Sequence, residues 1–105
     1  MSLEGKWRIV EMPDFGDDYP DMVEAAYILF EADGSGEFAF GCSTGHIWAA
    51  STTKATIIDF SWSGSDEMDE VNGDGSAELQ PDGSLKGEIC YDHGDEYTFI
   101  ARRWT

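Results

Sequence analysis

Basic residues are scarce in this chain. Six lysines and arginines face 22 aspartates and glutamates, a formal net charge of −16 over 105 residues. A surface of that sign repels phosphate backbones and anionic bilayers, which argues against binding to nucleic acid or to a membrane surface. The few bases are scattered, and no Gly-x-x-x-x-Gly-Lys run is present to cradle a phosphate. Cysteine is nearly absent. Cys42 and Cys90 lie far apart and outside any Cys-x-x-Cys spacing, so no disulfide framework or zinc knuckle is expected. They read as reduced, packed thiols of a cytoplasmic protein. The only two histidines are His46 and His93. His93 stands between Asp92 and Asp95, a pairing suited to proton transfer, but neither histidine comes with a nucleophile and an oxyanion hole. The expectation is a protein that is not an enzyme, with no cofactor and no metal centre. No apolar run approaches the ~20 residues of a membrane-spanning helix. Residues 1–6 hold no apolar run of signal-peptide length, so an intracellular protein is expected.

What the chain does have is apolar and aromatic material: 41% hydrophobic and 13% aromatic residues, enough for a core despite the charge. Residues 1–105 read as one domain. Turn signals recur about every ten residues, the spacing of an all-β sandwich or barrel. Strands are expected over residues 6–12, 26–32, 37–42, 45–51, 55–62, 75–80, 84–91 and 96–104. Pro13 stops the first strand. Asp33-Gly34-Ser35-Gly36 and Pro81-Asp82-Gly83 are hairpin turns, because glycine supplies positive φ without a clash at Cβ. Two polar loops are expected, at residues 14–24 and 63–73. The first is expected to hold a helical turn near Pro20.

Within the strands, large apolar residues recur at every second position. Trp7 and Ile9, Phe38 and Phe40, Ile58, Phe60 and Trp62, Ile89 and Tyr91, and Phe99 each fall on one face. Phe30 and Leu79 complete the expected interior. Eight strands with short connections favour an up-and-down antiparallel meander. Closing strand one against strand eight removes both exposed edges. The expected fold is therefore all-β, a small antiparallel barrel of about eight strands. Should the first and last strands stay apart, their edges would pair between chains, so monomer and dimer are both open.

Gly5-Lys6-Trp7 at the start, with Arg102-Arg103 near the end, resembles the signature of lipocalin-like (calycin) barrels. The resemblance implies that the tryptophan packs at a closed end and that an arginine of the last strand crosses it. Gly5, Trp7 and Arg103 take these roles here, with Arg102 as the alternative arginine. It also implies that residues 14–24 lid the open end. The stretch Phe60-Ser61-Trp62 followed by Asp66-Glu67-Met68-Asp69-Glu70 resembles a group of uncharacterised small bacterial proteins, which implies no function.

Two kinds of site follow. At the open end, Phe15, Tyr19 and Met22 of the lid, with Trp48, Trp62 and Tyr91 as wall, would bind a small apolar or aromatic ligand. Alternatively, the acidic surface of Asp66, Glu67, Asp69, Glu70 and Asp74, with the loop at residues 14–21, would dock a basic partner protein. Glu70-Val71-Asn72-Gly73-Asp74-Gly75 mimics the first half of a calcium loop, but Pro81 stands where the closing bidentate glutamate belongs.

Overall fold

Eight antiparallel strands form one closed barrel in sequence order: β1 (Gly5–Glu11), β2 (Tyr27–Phe30), β3 (Gly36–Phe40), β4 (Ser43–Lys54), β5 (Ile57–Asp66), β6 (Asp69–Leu79), β7 (Leu85–Tyr91) and β8 (Glu96–Arg103). The computed structural model describes residues 3–15, 21, 25–54, 56–92 and 94–104, without the side chains of residues 49, 53 and 54. The expected helical turn near Pro20 lies outside the described residues. Among those described, no helix is long and apolar enough to cross a membrane.

The barrel closes within the chain. β1 pairs with β8 in the register Trp7↔Arg103 and Ile9↔Ala101, so neither strand is left as an edge for pairing between chains. The sheet follows the sequence alternation. Trp7, Ile9, Phe30, Phe38, Phe40, Phe60, Trp62, Ile89, Tyr91 and Phe99 are all buried. Leu79 is only partly buried against this core. Ile28, Ile47 and Leu85, absent from the expected interior, are fully buried inside it.

The rings fill the barrel. Phe38 and Trp62 meet edge-on at 5.0 Å, Trp62 and Tyr91 at 5.0 Å, and Tyr91 and Tyr97 at 5.5 Å. Lower down, Phe30 and Phe60 are 5.6 Å apart. Each such pair contributes roughly 0.5–1.5 kcal/mol beyond its area burial. Among the described residues no buried side-chain nitrogen or oxygen lacks a hydrogen-bond partner, so the interior presents no polar atom that asks for a ligand.

The two ends differ. At one, Arg103 lies with its guanidinium carbon 4.2 Å from the Trp7 ring centre and donates to the Glu4 carbonyl. The Trp7 indole N–H donates to the Leu3 carbonyl at 3.2 Å, and Leu3 is itself buried. Gly5 has φ of +119°, and a Cβ there would sit 2.7 Å from Arg103 Nη1. Arg102 points elsewhere, toward Asp82 at 3.4 Å. This end is a plug. The β2–β3 and β6–β7 hairpins turn here, both through Asp-Gly-Ser. In each, the aspartate Oδ1 accepts from the serine backbone N–H and hydroxyl, at 3.0 and 2.6 Å for Asp33 and 2.9 and 2.6 Å for Asp82. Gly34 and Gly83 hold φ of +88° and +89°.

The expected acidic loop at residues 63–73 does not form. β5 and β6 instead run on as a tall hairpin that turns only at Glu67 and Met68, both with positive φ (50° and 76°). Two positive φ values are what a two-residue I′ turn needs, although neither residue is a glycine. Polarity hid the strand. Gly73 faces Trp62 across the hairpin, and past them the inward pair is Gly64 and Val71, of which only Val71 still packs against the core, partly buried.

Candidate functional site

The other end is open, and the rising hairpin forms one side of it. A cleft of about 220 Å³ lies there, lined by Phe15, Ser43, Tyr91 and Tyr97 together with Asp66, Glu67 and Asp69. Each element delivers its side chain for a local reason. The segment after β1 turns back through a Phe15 N–H to Met12 carbonyl bond of 3.0 Å. Asp14 then ties it to β8, its Oδ2 accepting from the Thr98 backbone N–H at 3.0 Å. This sets Phe15 against Tyr97, with ring centres 4.6 Å apart and planes at 43°, and against Phe40 at 5.8 Å. Tyr91 ends the inward face of β7, and its hydroxyl donates to Ser43 Oγ at 3.2 Å. The aromatic floor is the top of the ring column that fills the barrel. The acids come from the tip of the β5–β6 hairpin. Asp66 and Asp69 pair across it, and the Glu67 N–H donates to the Cys42 carbonyl at 3.4 Å, which holds the tip over the β3–β4 turn.

Asp21, between β1 and β2, is also fixed. Asp21 receives Arg8 bidentately, at 2.8 and 2.9 Å, and the Ala26 N–H at 2.9 Å. The Arg8 hydrogen bonds, then the Ala26 N–H, hold the Asp21 carboxyl below the usual range. The same contact raises the Arg8 guanidinium.

The structure brings together some of the residues singled out in the sequence and separates others. Phe15 and Tyr91 line the cleft, as do Asp66, Glu67 and Asp69. Trp62 lies beneath Tyr91 and is 1% exposed, so it supports the floor without reaching the opening. Trp48 faces outward on β4 and is 53% exposed, away from the mouth where it was expected to form a wall, because its neighbour Ile47 takes the inward position. Glu70 and Asp74 are exposed on β6; in strand conformation the calcium-like run is drawn out along the sheet rather than wrapped into a loop. Tyr19, Met22 and His93 lie outside the described residues. Cys42 and Cys90 are free thiols. Glu88, Cys90 and Glu96 place three potential metal-ligating atoms within 4.8 Å of one another on the outer face. Sequence reading missed Ser43 and Tyr97. Tyr97 was available from the alternation of β8 with Phe99. Ser43 had no signal, since only the tertiary pairing with Tyr91 gives it a place.

These features define a closed, eight-stranded, antiparallel up-and-down barrel with one plugged end and one cleft-bearing end. No family model, no curated protein and no solved structure matches the chain.

Proposed function

We propose that this is a small calycin-like binding protein whose mouth cleft takes a small organic cation. The arginine stacked on Trp7 at the plugged end supports the calycin-like reading. The cleft itself carries the functional one. It combines three aromatic rings, Phe15, Tyr91 and Tyr97, with three carboxylates, Asp66, Glu67 and Asp69, and no basic side chain lines it among the described residues.

The sequence suggested an apolar or aromatic ligand. The rim alters that. A neutral apolar molecule gains nothing from three carboxylates and desolvates them, whereas an alkylammonium is attracted to both carboxylate and ring face. Size adds a limit. The cleft is smaller than the ~300 Å³ at which typical ligand pockets begin. It holds the share of about seven water molecules at ~30 Å³ each. Two free thiols support a reducing, cytoplasmic setting.

The test is calorimetric titration with choline and with its neutral carbon isostere, 3,3-dimethylbutan-1-ol. Choline is expected to bind with Kd on the order of millimolar, about −4 kcal/mol, and at least tenfold more tightly than the isostere. Equal heats for the two, or none for either, would remove this reading.

A further inference from the structure

The outer face of the tall wall carries a second feature, independent of the mouth cleft. Strand register sets its side chains in rows. One row runs Trp48, Ser61, Asp74 and Cys90, ending at Glu96. The row beside it runs Ser51, Asp59, Ser76 and Glu88. The serines are short, so the face is sunken between taller neighbours. Two hollows, of about 470 and 380 Å³, share Ser61, Asp74 and Cys90 and so form one trough.

Three observations give the trough a character. Trp48, at its wall, is one of few large apolar side chains left exposed. Asp59, Asp74, Glu88 and Asp92 line it, and no lysine or arginine does among the described residues. The Cys90 thiol is pushed up, first by burial and then by Glu88, Asp74 and Glu96, which reports the negative field along the rows.

We propose that this trough docks an arginine-bearing segment of a basic partner protein. A guanidinium is planar and weakly hydrated, so it stacks on an indole and offers its fork to a carboxylate at the same time. Trp48 supplies the ring, Asp74 and Asp92 the carboxylates, and the serine floor leaves room for the arginine stem. Tryptophan and arginine are enriched among interface hot spots, and a surface of one sign steers a partner of the opposite sign. The sequence placed such docking in the loops at residues 14–21 and 66–74. Of those residues, Asp14 and Asp21 are engaged by Thr98 and Arg8, whereas Asp74 faces the trough from β6.

The probe is a short peptide of alternating arginine and glycine, titrated into the full chain and followed by amide and indole NMR shifts at about 50 mM and about 300 mM salt. The expected result is movement of the Trp48 indole N–H and of β4–β7 amides flanking the trough. Affinity should drop steeply at the higher salt. Trp48→Ala should weaken binding on the order of tenfold, and Asp74→Asn should weaken it further. Both positions are exposed, so both variants keep the fold. Glu31→Gln, at the plugged end, should change nothing. Shifts spread evenly over the acidic surface, shifts centred on the mouth cleft, or unchanged binding by Trp48→Ala would each overturn the proposal.

Discussion

The two ends of the barrel are built by opposite means. The plugged end is held by contacts that each satisfy a local need. Arg103 covers Trp7, Leu3 accepts the indole proton, and two Asp-Gly-Ser turns close on their own side chains. The open end is assembled from distant parts. Phe15, Ser43, Asp66 and Tyr97 meet only because three strands and the segment after β1 bring them to one rim. Its carboxylates repel one another, and no base among the lining residues offsets them. The contrast is one of composition: one end is closed by contacts that offset charge, and the other gathers carboxylates of one sign over packed rings.

That contrast can be broken experimentally. The largest effect is expected from Trp7→Ala, which empties a fully buried site. It should cost roughly 3–5 kcal/mol in denaturant unfolding and leave choline affinity unchanged in the fraction that stays folded. A comparable stability loss from a rim substitution would erase the distinction between the ends.

Asp66→Asn combined with Asp69→Asn should do the reverse. Choline affinity should fall about tenfold, ~1.4 kcal/mol, while thermal stability holds or rises slightly as like-charge repulsion is relieved. Calorimetry and a melting curve on the same sample would measure both. Arg103→Met keeps bulk over Trp7 but removes the cation. It should lower stability by about 0.5–2 kcal/mol, again with no change in choline binding.

The smallest effect concerns acid. Asp33 and Asp82 in the plugged-end turns have carboxyls held below the usual range, chiefly by the hydroxyls of Ser35 and Ser84 and then by their backbone N–H groups. Asp21, between β1 and β2, is lowered chiefly by Arg8. A folded-state value below the unfolded one means that the stabilisation is complete above the ordinary carboxylate value of 3.8 and is lost as pH falls through the lower folded value. Denaturant midpoints between pH 6 and pH 3 should therefore decline at the acid end. Asp82→Asn should flatten that decline while lowering stability at neutral pH.

The fold was largely legible in the sequence. Period-two runs such as Ile58, Phe60 and Trp62 specify which side of a strand is buried, and Asp82-Gly83 fixes where a hairpin turns. Gly5, Trp7 and Arg103 pointed to the plug through their resemblance to the calycin signature, with Arg102 as the alternative, and the stacking of Arg103 on Trp7 decides between the two arginines. The tall hairpin was not legible. Above the core, a strand needs no large inward side chain, so Ser63–Gly64–Ser65 carries no alternation and reads as loop. Its turn falls on Glu67 and Met68, which gives no turn signal at all. For the cleft, Phe15 and Tyr91 were visible as aromatics near the right end. Trp48 was misplaced by one position of strand phase, the shift that sends a side chain to the opposite face. The joining of Asp66, Glu67 and Asp69 to three rings depends on hairpin height, which no local pattern encodes.

The most direct measurement is intermolecular NOE spectroscopy on the choline-saturated protein. The cation also has an indole and carboxylates available in the outer trough, so location decides the matter. NOEs from the trimethylammonium protons to ring protons of Phe15, Tyr91 and Tyr97 are predicted. NOEs to Trp48 instead, or to the rings around Trp7, would contradict the assignment of the open end as the ligand site.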